Sequence, residues 1–298
     1  MRVTQSMLSN NMLNNLSNSY NKMGKLQDQL ASGSKLTRPS DDPVATVKGM
    51  NYRTTLAKNE QFSSNLDEAA GWLDATDSAL SQVNNGLSRV KDLLIQAGTD
   101  SVTDDDRKAI QKEIDQIRMQ MRDVANTQQG EKYLFSGTAT TTPLFADSTA
   151  NASAGQIATL GGNTEQVKIE VYDGIQLPVN VNGKDLFTGI DAFISNVQVA
   201  LDGGKTATDI SSLLTDATVQ IDKTLQLQAS VGAKENRVDT MADRLSSQKL
   251  VVTKQMSNNE DVEYEKTITQ MITEESTHQA ALSVGAKIIQ ATLVDFIR

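Results

Sequence analysis

A run of apolar residues spaced alternately three and four positions apart constrains the fold of this chain more than any other feature. Its members are Leu66, Ala69, Leu73, Thr76, Leu80, Val83, Leu87, Val90, Leu94 and Ala97. This spacing is typical of a coiled-coil seam rather than of one face of a short globular helix. We predict a helix from Pro43 to Gly98, which at ~1.5 Å per residue spans on the order of 80 Å. Partner helices must lie along it, because an ordinary globular core cannot cover that length.

A second helix follows after the short connection GTDS. Thr103 can cap its first turn, where the acidic side chains of residues 104–106 suit the positive end of the helix dipole. The same spacing then continues in Ile110, Ile114, Ile117, Met121 and Val124. Because the connection is short, we expect this helix to be an antiparallel neighbour of the first.

The middle of the chain has a different composition. Nine of the 18 glycines lie between residues 137 and 204. The segments QVKIEVYDG and QLPVNVNG alternate apolar and polar residues and end in Asp-Gly and Asn-Gly, which predicts short antiparallel strands with tight turns. One helix is expected at IDAFISNVQVAL.

Helical spacing returns after the middle segment. Ile210, Leu214, Ala217 and Ile221 form one stripe, and Val231, Val238, Leu245 and Val252 are seven residues apart. In the last stretch of the chain, one heptad frame holds the apolar row Ile268, Ile272, Leu282, Ala286, Ile289, Leu293 and Phe296. We therefore predict a mainly α fold: a long coiled-coil helical bundle formed by both chain ends, with a small β-rich inserted central domain. The predicted divisions are terminal arms at 1–38 and 260–298, a bundle at 39–130 and 206–259, and a β-rich outer domain at 131–205.

The two terminal arms carry opposite charge. Residues 1–38 have a net charge of +4 and residues 260–298 a net charge of −4, and such complementarity guides the choice of helix partner. Twelve of the first 34 residues are Asn or Ser, which are poor helix formers. We expect the arms to pair with each other, to be partly disordered in the free monomer and to fold on assembly.

The segment LTRPSDDPVAT holds two of the chain's four prolines, Pro39 and Pro43. A proline disfavours helical geometry in the residue before it, so Pro39 is expected to end the first arm. Pro43 suits the first turn of the next helix, with Asp42 or Ser40 as its cap. We interpret Pro39, Asp41, Asp42 and Pro43 as an interdomain joint.

The residues of this chain offer little for catalysis. There is no cysteine and one histidine, His278, which has no evident nucleophile as a partner. The three aspartates at 104–106 lack the spacing of a calcium loop, and no glycine loop for phosphate appears. We predict no enzymatic activity, no catalytic or metal site and no cofactor. The net charge of −9 argues against nucleic acid, and no apolar run predicts a membrane span or a cleaved leader.

Both ends of the chain resemble the bacterial flagellin family. The resemblance rests on MRVTQSMLSNNMLNNL, LQDQLASGSKLTRPSDDPVAT, YLFSGTATTTPLF and AALSVGAKIIQATLVDFIR. Within the family, the Pro-Ser-Asp-Asp-Pro order and the ending ATLVDFIR are similar to the members that join hook to filament rather than to filament flagellin.

The resemblance implies a structural subunit of the extracellular flagellum, exported for motility by a type III route without a cleaved signal peptide. Its implied partners are copies of itself in a ring, another hook-associated protein on the hook side and flagellin on the filament side. A flagellar export chaperone and the export apparatus are implied as well. The arms would pair in the inner core of a tube, with the β domain facing outward.

We expect the arms to assemble by coupled folding and polymerisation. The apolar side chains expected to carry subunit assembly are Leu13, Leu16, Tyr20 and Met23 in the first arm and Leu282, Ile289, Leu293 and Phe296 in the last. The alternative for each is burial within one chain. Two other functions stay open: filament flagellin itself, and a secreted coiled-coil adhesin whose β domain binds a ligand.

Overall fold

The computed structural model describes residues 5–99, 103–146, 155–202 and 207–294. Within these ranges the elements are α1 (Gln5–Ser32), α2 (Pro43–Ala97), α3 (Asp104–Ala125), β1 (Gln128–Gln129), β2 (Lys132–Tyr133), β3 (Lys168–Tyr172), β4 (Ile175–Pro178), α4 (Gly183–Asp202), α5 (Ala207–Glu260) and α6 (Tyr264–Val294). The chain divides into two compact units. We call Met1–Lys58 with Ser247–Arg298 the arm unit, and Asn59–Ser246 the core unit.

The predicted seam of α2 lies at the centre of the core unit. All ten of its residues, from Leu66 to Ala97, are buried. Helix α2 extends from Pro43 to Ala97, one residue short of the predicted end at Gly98. The mainly α fold is thereby confirmed, and so is the interpretation of the three-four spacing as a buried seam.

Helix α3 packs against α2 in the antiparallel direction. Arg89 bonds to Glu113 at 2.7 Å, whereas Gly86 faces Met121 further along α3, so α2 numbers fall as α3 numbers rise. The five predicted seam residues of α3 are all buried. Thr103 caps the helix in a capping box, in which its hydroxyl accepts the Asp106 N–H and the Asp106 carboxylate accepts the Thr103 N–H. The predicted neighbour and its cap are both confirmed.

The seven-residue repeat of α5 is also buried. Val231, Val238 and Leu245 belong to the hydrophobic cluster of the core unit, and Val252 is buried in the arm unit. Of the preceding stripe, Ala217 is fully buried and Leu214 and Ile221 are partly buried. The side chain of Ile210 lies outside the described residues.

The central segment contains one predicted hairpin and a longer helix than expected. Strands β3 and β4 pair antiparallel across the two-residue turn Asp173-Gly174, where Gly174 has φ +75°. The prediction of a second tight turn is wrong, because Asn182 and Gly183 do not form the turn of a hairpin. Asn182 instead accepts the Lys184 N–H at the start of α4, which begins seven residues before the predicted IDAFISNVQVAL segment.

The reason for the earlier start is the apolar face of α4. Leu186, Phe187, Ile190, Ile194 and Val197 follow helical spacing and are all buried in the core unit. A second small hairpin, β1–β2, was not predicted. It turns at Gly130, which has φ +63°. Both strands of this hairpin have only two residues, too few for an alternating pattern to be visible in the sequence.

Candidate subunit-assembly site

The terminal helices α1 and α6 pack against each other within the arm unit. Met12 contacts the α6 backbone at Gly285, the rings of Tyr20 and His278 lie 6.3 Å apart, and Lys22 bonds to Glu274. Since α6 numbers fall as α1 numbers rise, the pair is antiparallel.

The seam between the two helices has coiled-coil spacing on both sides. In α1 the less exposed positions include Ser9, Met12, Leu16, Ser19, Met23, Leu26 and Leu30. In α6 they are Thr267, Met271, Glu274, His278, Ala281 and Gly285. Each set alternates steps of three and four, as in a two-helix coiled coil. The seam of α6 is thus made largely of polar and small residues, and its Gly285 lets the two backbones come close.

The predicted assembly residues divide between the seam and the surface. Leu16 and Met23 lie in the seam, whereas Leu13 is 60% exposed and Tyr20 is 67% exposed. In α6, Leu282 is 47% exposed. Ile289 and Leu293 belong to α6, but their side chains lie outside the described residues, and Phe296 lies outside them altogether.

The apolar row predicted for α6 is displaced by one position from the seam. Ile268, Ile272 and Leu282 each follow a seam residue directly, and all three are exposed. Leu13 and Tyr20 also directly follow seam residues of α1. In an antiparallel pair, positions offset in the same sense from the two seams lie on the same side. The arm pair therefore has one apolar side, formed by both helices.

The opposite side of the arm pair is mostly polar, apart from the exposed Leu8 and Val284, which directly precede the seam residues Ser9 and Gly285. A groove of ≈ 430 Å³ is lined there by Lys22, Lys25, Leu26, Gln29, Thr269, Gln270, Thr273 and Glu274. Most of these residues directly precede a seam position. The side that carries Ile268, Ile272 and Leu282 is the more apolar of the two, and therefore favours burial against another apolar surface more strongly.

The opposite charges of the arms meet in a few exposed ion pairs. Lys22 Nζ lies 3.5 Å from the Glu274 carboxylate, which also accepts the Ser19 hydroxyl, and Lys35 Nζ lies 3.3 Å from Glu263. Exposed pairs of this kind contribute only about 0–1 kcal/mol each. Their positions match the antiparallel orientation of the two helices, but their contribution to the stability of the pair is small.

The first arm ends earlier than the sequence predicted. Helix α1 stops at Ser32, followed by Gly33 in the left-handed conformation (φ +69°), so Gly33 and not Pro39 ends it. A glycine adopts this conformation without the steric cost of a side chain. Pro39 instead occupies a turn closed by the bond from Asp41 N–H to the Arg38 carbonyl, at 3.0 Å.

The two aspartates of the joint have different partners. The Asp41 carboxylate bonds to Lys25 Nζ at 3.0 Å and accepts the Thr37 hydroxyl and the Arg38 N–H. The Lys25 ammonium, helped by these bonds, holds the pKa of Asp41 below its usual 3.8. Asp42 caps α2 by accepting the N–H groups of Val44 and Ala45, both at 3.0 Å, and Pro43 is the first residue of that helix.

The α1–α2 connection pairs with the α5–α6 connection. The Lys35 N–H donates to the Glu260 carbonyl at 2.6 Å, and the Val262 N–H donates to the Gly33 carbonyl at 3.0 Å. Gly49 of α2 faces the Glu260 side chain so closely that a Cβ there would lie 1.9 Å from Oε1. Backbone hydrogen bonds and a close helix contact thus join the connection that follows α1 to the connection that precedes α6.

A buried ion cluster in the core unit was missed by the sequence analysis. Arg118 and Arg122 of α3 both bond to the Asp191 carboxylate of α4, at 2.9 and 2.8 Å, and all three side chains are at most 2% exposed. Arg118 also donates to Gln198, and Asp191 accepts the Ala158 N–H. The available signal was the row Asp191, Ser195 and Gln198 on the otherwise apolar face of α4.

Two opposing effects act on the pKa of Asp191. Burial alone would raise it, but the Arg118 hydrogen bond, the Ala158 N–H and the charges of both arginines outweigh burial. The pKa therefore lies below 3.8, and the carboxylate stays charged at neutral pH.

Metal and membrane sites were sought in the ranges that the structure describes. No group of three or more His, Asp or Glu side chains there is placed to hold a metal ion. Within the same ranges no helix is both long and apolar enough to cross a bilayer.

Comparisons with known proteins match both ends of the chain. The family model for the bacterial flagellin N-terminal helical region matches residues 3–140, and that for the C-terminal helical region matches residues 214–297. The chain belongs to the bacterial flagellin family. The relatives it resembles in this family are structural components of the bacterial flagellum.

Three relatives illustrate the range of similarity. Flagellar hook-associated protein 3 of Salmonella typhimurium is 24% identical over 304 residues, covering 94% of this chain and 95% of the relative. Flagellin of Clostridium tyrobutyricum is 28% identical over 127 residues, which is 43% of this chain and 34% of the relative. The crystal structure of Bacillus cereus FlgL, 25% identical, covers 70% of this chain and 99% of its own with a TM-score of 0.57.

Proposed function

We propose that this flagellin-family chain is the structural adaptor that joins hook to filament, assembled by coupled folding and polymerisation of its terminal helices. The similarity to hook-associated protein 3 along nearly the whole length supports this role, since the similarity to flagellin spans less than half of the chain. The arms would form the inner core, the bundle would pack outside them, and residues 131–205 would face outward.

The observation that carries the proposal is the exposed apolar side of the arm pair. Leu13, Tyr20, Ile268, Ile272 and Leu282 are all exposed although α1 and α6 are already paired. Burying one such Leu or Ile contributes roughly 1.5–3 kcal/mol. Assembly with further copies would bury these side chains and stabilise arms whose own seam is partly polar.

The proposed partners follow from the family. They are further copies in a ring, a hook-associated protein on one side and flagellin on the other. An export chaperone and the flagellar export apparatus would handle the chain before assembly, with an uncleaved N-terminal signal.

Two experiments test the proposal. Cells that lack the protein should form hooks without filaments and shed flagellin into the medium, as seen by electron microscopy. A chain that lacks residues 289–298 should keep the folded core unit, reported by the buried Trp72, but should fail to restore filaments. Normal filaments in either strain would refute the proposal.

Filament flagellin is the second candidate, because the matching family models are those of flagellin itself. The purified chain at high concentration distinguishes the two roles. Flagellin should polymerise alone into long filaments, whereas a junction adaptor should not.

A further inference from the structure

A second exposed apolar surface lies in the arm unit, where the start of α2 packs against the end of α5. The two helices are held by the bond from Asn259 Nδ2 to the Ala45 carbonyl, at 2.8 Å. Around this contact, Val44, Val47, Leu250 and Val251 are all more than half exposed. Among the residues of the arm unit that the structure describes, none covers these side chains.

These apolar residues share one side of the helix pair with basic residues. The less exposed positions of α2 include Ala45, Gly49 and Tyr52, and those of α5 include Val252 and Asn259. Counted from these positions, Val44, Lys48, Val251 and Lys254 lie on one side of the antiparallel pair, and Val47 and Leu250 lie on its outer edge. We define this group as the basic surface: Val44, Val47 and Lys48 of α2 with Leu250, Val251 and Lys254 of α5.

Positive charge is in excess around the basic surface, although Arg53 bonds to the Glu260 carboxylate that lies against Gly49. Residues 43–58 and 247–259 together contain five Lys or Arg and no Asp or Glu, in a chain of net charge −9. A partner should therefore combine exposed apolar side chains with negative charge, since complementary charge directs encounter and excludes wrong partners.

One element of the same chain has that chemistry. The row of α6 on the apolar side of the arm pair is Glu265, Ile268, Ile272, Glu275, Gln279 and Leu282. It contains two carboxylates, no basic residue and three exposed apolar side chains. We define these six residues as the acidic row.

We propose that the acidic row of one copy docks on the basic surface of a neighbouring copy. This inference rests on the proposed function, because it names the surface that receives the assembling arm. The two surfaces differ from each other, so the contact is head-to-tail. Such a contact propagates from copy to copy and closes into a ring when the rotation permits.

Exchanging the charges tests the pairing. The double variant Lys48→Glu/Lys254→Glu and the double variant Glu265→Lys/Glu275→Lys should each be incorporated into flagella about tenfold less than the wild type, because like charges then face each other. A chain that carries all four substitutions restores opposite charges at every contact and should regain incorporation. The control Lys112→Glu/Lys223→Glu changes net charge by the same amount as Lys48→Glu/Lys254→Glu, at exposed sites of the core unit, and should be incorporated normally.

Cross-linking tests the geometry directly, and the absence of native cysteine makes it specific. Single-cysteine chains Val47→Cys and Ile272→Cys, carrying tags of different size, are produced together and oxidised on the cells. A mixed-size product that exceeds both products of equal tags supports the inference. Predominance of the Ile272→Cys homodimer would show that arms contact arms, and would overturn it.

The outcomes separate this inference from the proposed function. If wild-type chain is absent from flagella, the proposed function fails. If wild-type chain is present but the four-fold variant is not rescued, or no mixed product forms, the inference alone fails. Binding of the purified chain to phosphatidylglycerol vesicles that is lost in Lys48→Glu/Lys254→Glu, without the mixed cross-link, would assign the basic surface to a lipid and also overturn it.

Discussion

The seam of α2 in the core unit and the apolar rows of the arms share one sequence pattern and differ completely in burial. From Leu66 to Ala97 every seam residue of α2 is buried, whereas Leu13, Tyr20, Ile272 and Leu282 of the arms are about half exposed or more. A three-four repeat therefore predicts that a surface will be buried, but it does not predict whether a helix of the same chain or of another copy covers it. In the core unit α3 and α5 supply the cover. In the arm unit, α1 and α6 contact each other through the row of residues beside their apolar rows. The apolar rows themselves stay exposed.

The largest expected difference concerns charged residues in the two units. Asp191→Ala leaves Arg118 and Arg122 buried without their carboxylate, and should lower the free energy of unfolding of the core unit by about 3–5 kcal/mol. Its counterpart in the arm seam is Glu274→Ala, which removes a partly exposed pair and should cost at most about 1 kcal/mol. Urea unfolding followed by Trp72, the only tryptophan, measures the core unit, and far-UV circular dichroism, to which α1 and α6 contribute, measures the arm unit.

Equal losses in Asp191→Ala and Glu274→Ala would remove the distinction between the units. The control is the conservative Asp191→Asn, which keeps the volume of the side chain, removes its charge and replaces one acceptor oxygen by an NH2 donor. It should lie between the wild type and Asp191→Ala, because the amide oxygen still accepts one arginine N–H.

The next effect compares two leucines in equivalent heptad patterns. Leu80→Ala empties a fully buried position of α2 and should cost about 2–5 kcal/mol. Leu282→Ala changes an exposed position of α6 and should leave the free energy of unfolding within about 0.5 kcal/mol of the wild type. The same variant should reduce incorporation into flagella. A large stability loss in Leu282→Ala, measured on the monomer, would show that the arm row is already buried.

Acid should weaken the core unit through Asp191. Its pKa lies below 3.8 in the folded chain, so its contribution is fully present above the unfolded pKa of about 3.9 and is lost as pH falls through the folded pKa. The stability difference between wild type and Asp191→Asn should therefore shrink in urea titrations from pH about 5 downward. A difference that stayed constant would show that the carboxylate does not titrate with unfolding.

Glu235 provides a control of opposite sign. Burial, and then the charges of Asp77, Asp74 and Asp239, raise the pKa of Glu235 above 4.5. Its contribution to stability is present below the unfolded pKa and is lost as pH rises through the folded one. Glu235→Gln should therefore stabilise the core unit slightly at neutral pH.

These comparisons show which parts of the molecule are visible in the sequence. The seams of α2 and α3 were predictable because their repeats are long and their apolar residues large. The buried Arg118 was not, because an arginine that meets a carboxylate 73 positions away has the same local pattern as one on the surface. Asn182-Gly183 suits a turn and a helix start equally, and only the apolar face of α4 decides between them.

The arm seam was not predictable for a different reason. Among the described side chains of α6, the isoleucines and the leucine follow one frame, Ile268, Ile272 and Leu282, yet the structure pairs α1 with the adjacent frame, which includes Ala281 and Gly285. Small residues allow a close approach that large ones prevent. Periodicity identified a surface for burial in α6, but could not distinguish a partner in the same chain from a partner in another copy.

Hydrogen exchange should show the same contrast along the backbone. In the dilute monomer, amides of α1 and α6 should exchange far faster than those of α2 within the core unit, because few buried contacts hold the arms. Assembly into flagella should slow the arm amides. Strong protection of residues 5–31 in the free monomer would contradict the expectation that the arms fold on assembly.

The smallest expected effects come from the two helix caps, one in each unit. Thr103→Ala removes the capping box of α3 and should lower the free energy of unfolding seen by Trp72 by about 0.5–2 kcal/mol. Asp42→Ala removes a cap of similar strength from α2, but its amide partners, Val44 and Ala45, lie in the arm unit. Asp42→Ala should therefore accelerate hydrogen exchange at the Val44 and Ala45 amides. The urea unfolding transition reported by Trp72 should hardly change. If Asp42→Ala shifted that transition as much as Thr103→Ala, the two units would unfold together, and the marginal stability assigned to the arms would have to be abandoned.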